Sequence, residues 1–257
     1  MGNFLSVFKG LYMSFGMFCT IPLPGYWNDS ATKHMMPWFP LVGAVIGLIW
    51  WGLAMGLVFL ENWVPAPLLA GVFMLIPLLF AGFIHLDGYM DTSDAVLSRR
   101  SVDEKMRILK DSHTGAFAVI MVVILFIMQY ATSLSIFMQE TNFALLVMIP
   151  IVSRSFSALS ILCIRPMNPD GYAAIFRSDS PAPHRIVTVI TVVAVFVLAW
   201  FIFGLTGIIV GGAVAVGFSI AMLCALKSFK FKGVSGDLAG FSLTIAEACG
   251  LITLAIV

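Results

Sequence analysis

Apolar and charged positions are segregated into long blocks along this chain. Residues 39–60 run 22 positions without a charge, and residues 63–86 form a second uncharged run interrupted only by three prolines and His85. Residues 114–138 and 142–164 follow, the latter carrying Arg154. Residues 186–226 are 41 positions without a charge. At about 1.5 Å per helical residue they reach about 60 Å, twice the hydrocarbon thickness of a bilayer. A turn is therefore expected near Gly204 and Gly207. Residues 238–257, carrying Glu247, complete seven expected membrane spans. An earlier apolar stretch, 4–23, holds Lys9 and runs into Pro22, Pro24 and Gly25. It is expected to span, re-enter or lie along the interface. A cleaved signal peptide fits poorly, because Lys9 sits mid-stretch and no small-x-small site follows.

The connections between these runs differ in sign. Residues 61–63, 139–142 and the Gly204 region hold no lysine or arginine. Lys33, then Arg99, Arg100, Lys105, Arg107 and Lys110, then Arg165, Arg177 and Arg185, then Lys227, Lys230 and Lys232 occupy the other four connections. Seven spans put all of these on one face, the cytoplasmic one by the positive-inside rule. Lys9 and Arg154 lie inside apolar segments.

Composition agrees. The chain has 257 residues, 60% apolar and 11% charged, with a mean hydropathy of +1.03. A soluble domain is about 45–50% apolar even with glycine included. So few charges could not cover a soluble surface, which excludes a soluble enzyme, a disordered tail and a secreted disulfide scaffold. The expected fold is all-α: one polytopic integral membrane helical bundle over residues 1–257, held in a lipid bilayer. The net charge of +1 points to no nucleic-acid partner. Cys19, Cys163, Cys224 and Cys249 show no C-x-x-C spacing and read as small buried hydrophobes. No internal repeat stands out, which weakens a transporter built from inverted halves.

The acids narrow the chemistry. Only Glu61 and Glu140 mark the face without basic residues. Asp87, Asp91, Asp94, Asp103, Glu104 and Asp111 all follow the second span. Asp87, Asp91 and Asp94, at i, i+4 and i+7, share one face of a helix within about 60°. Three stacked carboxylates suit a divalent cation, and Mg²⁺ commonly bridges one or two carboxylates to substrate phosphates. The alternative is a solvated helix end paired with Arg99 or Arg100. Gly88 leaves room for a phosphate or a backbone, or breaks the helix. Before the third span, Asp111 could complete a metal site and Lys110 or Ser112 could bind phosphate, or the segment merely caps the helix. Asp170, in Asn168-Pro-Asp-Gly-Tyr172, reads first as a turn residue and second as a site residue. In the loop that ends in Ser235-Gly-Asp237, Asp237 reads as a helix cap, and the glycines could cradle phosphate. Arg154 and Glu247 lie within spans, where a charge must be paired or functional. They are expected to pair with each other or to touch substrate. His85, His34, His113 and His184 sit near helix ends. On an unbroken helix His85 would point away from the Asp87 face.

Together these residues make the chain resemble the cobalamin synthase family, the cobalamin-5′-phosphate synthases or adenosylcobinamide-GDP ribazoletransferases. The strongest element is His85-Leu-Asp-Gly-x-x-Asp-Thr-x-Asp-Ala95, with Met106-x-Ile-Leu-Lys-Asp-Ser-x-x-Gly-Ala-Phe117 beyond it. Phe18-Cys-Thr-Ile-Pro-Leu-Pro24, Phe39-Pro-Leu-Val-Gly43, Ser153-Arg154, Pro169-Asp-Gly171 and Gly233-Val-Ser-Gly-Asp237 with Glu247 complete it. The early motif lacks the arginine usual in the family, and Ser235 stands where threonine is expected.

The resemblance implies an enzyme of nucleotide loop assembly in the bacterial inner membrane, with its active site facing the cytoplasm. It would join adenosylcobinamide-GDP to α-ribazole or its 5′-phosphate and release GMP. On that reading Asp87, Asp91 and Asp94 hold Mg²⁺. Asp111, Lys110, Arg154 and Asp237 are catalytic, and His85, Ser112, Asp170, Ser235 and Glu247 contact substrate. Homo-oligomerisation is left open. The rival readings are a CDP-alcohol phosphotransferase, a UbiA-type prenyltransferase and an ion-coupled transporter. The first lacks its downstream aspartates here, the second its second D-x-x-x-D cluster. The third would keep its acids at mid-membrane.

Overall fold

The computed structural model describes residues 2–23, 28–139, 141–178, 180 and 182–257. Pro24 and Gly25, expected to end the first apolar stretch, and Glu140, expected on the face without basic residues, lie outside the described residues. Among those described the chain is helical, with only one isolated bridge between Pro166 and Val234. Five helices are long and apolar enough to cross a membrane, or six if a bent pair counts as one crossing. The seven expected crossings require in addition that the longest helix be counted twice.

That helix, α9 (Ala182–Ser228), has 47 residues. It breaks at Gly204, whose φ of 61° and ψ of −139° no side chain adopts comfortably. A Cβ on Gly207 would lie 2.8 Å from the Ala199 carbonyl, and one on Gly211 would lie 3.2 Å from the Phe196 ring. Residues 196 and 211 would be about 22 Å apart on a straight helix. The element is therefore a helical hairpin folded back at Gly204, as the length of the run requires.

The remaining elements follow from proline and glycine. α1 (Gly2–Phe18) lies against the segment leading into α2 (Phe39–Phe59): the Trp38 indole donates to the Val7 carbonyl, and a Cβ on Gly10 would collide with His34. It thus lies across the end of the bundle at which α2 starts. The second expected span is shorter than its apolar run. α3 (Ala66–Ala81) stops where Gly82 and Phe83 adopt left-handed φ of 71° and 60°. The chain then turns by 94° into α4 (Ile84–Leu97). Hydropathy alone could not place that stop, because Phe83, Ile84 and Leu86 are as apolar as the span itself. Pro77 inside α3 cannot donate to the Phe73 carbonyl, and the Trp50 indole from α2 donates to it instead at 3.1 Å.

The expected loop 87–113 is mostly helical: α4, then α5 (Val102–Ile108), opened by a capping box between Ser101 and Glu104. α6 (Ala116–Phe137), α7 (Met148–Cys163), α8 (Tyr172–Ser178) and α10 (Gly236–Leu254) complete the chain. α7 and α10 form the centre: most of α7 is buried, whereas much of the first half of α9 is exposed. Polar residues concentrate on these central helices, while α9 turns Ile190, Val193, Phe201 and similar side chains outward to lipid. Cys163 and Cys224 are exposed, contrary to the expectation of burial; in hydrocarbon an outward thiol costs little. All four cysteines are free.

Candidate active site

The three aspartates of α4 share a helix face as expected, and Gly88 does not break that helix. Gly88 instead admits a backbone. A Cβ there would lie 2.9 Å from Cα and from the carbonyl oxygen of Asp237. One turn deeper, Gly240 of α10 packs against His85 and Gly88. Small residues on both helices let α4 and α10 approach closely, and this sets Asp237 beside the α4 acids. Burial first, then the charges of Asp87, Asp237 and Asp94, pushes the Asp91 carboxyl up to about 6. Four carboxylates from two helices thus share one field. The Asp94 carboxylate lies against Gly115, where any side chain would collide with it.

Ser235, rather than the expected Asp237, caps α10: its hydroxyl accepts from the Leu238 amide at 3.2 Å and also lies 3.3 Å from Asp237 Oδ2. The preceding loop is fixed to the one after α7. Met167 N–H donates to the Val234 carbonyl and Val234 N–H to the Arg165 carbonyl, each at 2.9 Å. Gly233, with φ of 138°, leaves no room for a side chain there. This strap holds Asn168 and Tyr172 beside Asp237.

Three cavities adjoin the acids. One of about 240 Å³ lies between Asp87 and Asp237 and is walled by Phe18, Phe39, His85 and Phe176. A second, of about 200 Å³, lies across Asp237 and Tyr172 and is lined by Lys110, Asn168 and Ser235. A third borders Asp87 from the side of Thr20, Gly82 and Phe83.

The other sequence candidates divide. Lys110 reaches the second cavity and His85 walls the first. His85 and Asp87 lie two residues apart in the same helix and so point about 200° apart, as expected, yet the first cavity reaches both. Asp111 turns to His113, accepting from its backbone and its ring at 3.0 and 2.7 Å. It is exposed and lines none of the three cavities, as is Ser112. Asp170 is exposed in its turn, its amide donating to Asn168 Oδ1 at 3.2 Å; Asn168 and Gly171 line the cavity in its place.

Arg154 and Glu247 form an ion pair, joined by Ser153, whose hydroxyl donates to Glu247 at 2.8 Å. Arg154 is 1% exposed, lies over the Phe39 ring and also donates to the Pro150 carbonyl. Its place is inside the bundle, joining α7 to α10, and it lines none of these three cavities. Arg154 Nε and His85 Nε2 are both buried without a hydrogen-bond partner. Sequence reasoning missed the aromatic wall of Phe18, Phe39 and Phe176, and missed Asn168 and Tyr172. Aromatic residues number 13% of the chain, so nothing in the pattern separates these from lipid-facing ones.

Among the described residues no three histidine, cysteine, aspartate or glutamate side chains converge as a closed metal site. The donor set nonetheless suits a hard cation held by one or two carboxylates and completed by phosphate oxygens. Burial and then repulsion raise Asp91, and a cation there would relieve the repulsion.

The chain is 38% identical over 250 residues to an adenosylcobinamide-GDP ribazoletransferase of Clostridium botulinum (strain Alaska E43 / Type E3), covering 96% of this chain and 97% of that protein. It is 34% identical over 251 residues to one of Clostridium perfringens (strain SM101 / Type A), covering 97% and 98%. It is 28% identical over 246 residues to one of Brevibacillus brevis, covering 92% and 94%. No solved structure matches. Residues 10–255 match the cobalamin-5-phosphate synthase family, and with relatives of that identity over nearly the whole chain, this protein is a membrane enzyme belonging to it.

Proposed function

We propose that the enzyme transfers the adenosylcobinamide phosphate moiety of adenosylcobinamide-GDP to α-ribazole or α-ribazole 5′-phosphate, releasing GMP at the cytoplasmic face of a bacterial inner membrane. The observation that carries this is the convergence of Asp87 and Asp91 of α4 with Asp237 of α10, between a ring-walled cavity and one bearing Lys110. In the reaction a ribose hydroxyl oxygen bonds to the cobinamide-side phosphorus, and the bond from that phosphorus to the GMP oxygen breaks. Such transfer is mainly positioning and charge neutralisation.

One or two of the carboxylates of Asp87, Asp91 and Asp94 would hold Mg²⁺, which would neutralise diphosphate charge and the departing GMP. Asp237, between the two cavities, is the carboxylate that takes the hydroxyl proton. Lys110 offers its ammonium to non-bridging oxygens. The Arg154–Glu247 pair fixes α7 against α10 and so steadies the wall that carries Phe39. A transporter reading drew on those two charges, and their mutual pairing leaves it without support.

The test is product formation by the purified protein in lipid nanodiscs, given adenosylcobinamide-GDP, α-ribazole 5′-phosphate and Mg²⁺. GMP and cobalamin 5′-phosphate should appear in equal amounts. Absence of both refutes the assignment, and GMP release without the nucleoside acceptor would make the protein a hydrolase instead.

A further inference from the structure

The end of the bundle away from the basic connections carries a cavity that the acidic cluster does not reach. Its volume is about 530 Å³, far more than the ~30 Å³ of a single water. Trp51, Met55 and Val58 line it from α2, at i, i+4 and i+7, and so form one stripe down that helix. Trp51 and Met55 are exposed on the outside of the bundle. The stripe ends at Glu61, which lines the same cavity just past the last turn of α2. Gln139 and Asn142 line it from the connection between α6 and α7. Asn142 Oδ1 accepts from the Ala144 amide at 3.1 Å, which leaves Nδ2 of the same side chain to donate. Glu61 makes no ion pair among the described residues, and no described lysine or arginine lines the cavity.

From this we infer that the cavity is a lipid site, and that it selects a phospholipid whose headgroup carries a primary ammonium. A carboxylate with no cation beside it attracts a positive headgroup and repels a negative one. A bare cation would leave most of the volume empty and make no use of the apolar stripe. That stripe runs from the carboxylate back along α2 toward the middle of the bundle, the direction in which an acyl chain leaves its headgroup. Each part of such a lipid thus meets a partner of its own kind. The ammonium meets Glu61, the phosphate meets the amide donors of Asn142 and Gln139, and the chain meets Trp51, Met55 and Val58. Hydrogen bonding separates the two zwitterionic headgroups. A primary ammonium donates charge-assisted hydrogen bonds to the carboxylate, whereas a choline has no hydrogen to donate. The inference is independent of the chemistry at the aspartates, which lie at the other end of the bundle.

Native mass spectrometry of the full-length protein tests this, with micelles doped in turn with dioleoyl phosphatidylethanolamine, phosphatidylcholine or phosphatidylglycerol. Wild type should hold the ethanolamine lipid about fivefold more tightly than either of the others, the scale of one exposed ion pair. Glu61→Gln should hold all three alike. Equal retention of the three by wild type, a preference for the choline or glycerol lipid, or a preference that survives in Glu61→Gln overturns the inference. Should that variant fail to fold, fluorescence in nanodiscs answers. Phosphatidylethanolamine with brominated chains should quench wild-type tryptophan more than brominated phosphatidylglycerol at the same mole fraction, and Trp51→Phe should remove the difference. Equal quenching by the two lipids, or a difference unchanged in Trp51→Phe, overturns it. Neither readout needs turnover, so a failure of the transferase reading leaves both intact.

Discussion

At the scale of single residues, the chemistry rests on side chains that the fold holds against their own preference. Asp91 is the clearest. Its carboxyl, pushed up to about 6 by burial and by Asp87, Asp237 and Asp94, binds a proton more tightly folded than unfolded. The stability it contributes is therefore present below its unfolded value, near 3.9, and is lost as pH rises through about 6. In metal-free protein at neutral pH, Asp91→Asn should raise the thermal midpoint. The gap should close as pH falls below about 6, where wild type is itself protonated. A midpoint that drops at neutral pH would mean that Asp91 is paired rather than repelled. The spacing of Asp87, Asp91 and Asp94 was enough to place them on one face. The arrival of Asp237 was not legible, because it depends on Gly88 and Gly240 letting two helices 150 residues apart in sequence touch. Asp111 and Asp170 looked as promising as Asp237 and turned outward, since short polar segments carry no periodicity to aim a side chain.

At the scale of elements, the apolar runs were readable, and of their two interruptions only the one at Gly204 was. Gly204 folds α9 back where the length of the apolar run demanded a turn. The stop of α3 at Gly82 was hidden, because the residues that begin α4 are apolar too. The hydrogen bond across α2 and α3 shows how such irregularities are tolerated in hydrocarbon. Pro77 leaves the Phe73 carbonyl without its helical donor, and the Trp50 indole takes that place. Trp50→Phe should lower the thermal midpoint, since an orphaned buried carbonyl costs about 1–3 kcal/mol. Adding Pro77→Ala should recover part of the loss by restoring the amide. Two effects that merely add, with no recovery, would show that Trp50 acts by packing alone. The double-mutant cycle in thermal unfolding separates the two outcomes.

At the scale of the whole molecule, segregation of charge and apolarity is what the sequence displays most openly. All described basic side chains other than Lys9 and Arg154 lie in or beside the connections at one end. The helix starts that carry Phe39, His85 and Asp237 gather at that end too. Cysteine-free protein with single cysteines at Glu61 or Ser101 checks the orientation in intact cells. The first should react with an impermeant maleimide from outside, the second only after lysis. The opposite result would invert the molecule and put the aspartates on the wrong side for GMP release. What hydropathy could not show is which helices form the centre. α7 and α10 are central because they carry the polar residues that lipid would reject, among them Ser153, Arg154 and Glu247.

The central claim is that the aspartates of α4, with Asp237, form a cation-assisted centre for transfer of the cobinamide phosphate. It is tested most directly by GMP release in purified wild type and Asp91→Ala, with Mg²⁺ and after chelation. Wild type should release GMP only with Mg²⁺ and the nucleoside acceptor both present, while Asp91→Ala inserts, keeps its thermal transition and releases none. Turnover by folded Asp91→Ala, or undiminished turnover by wild type after chelation, would contradict the account.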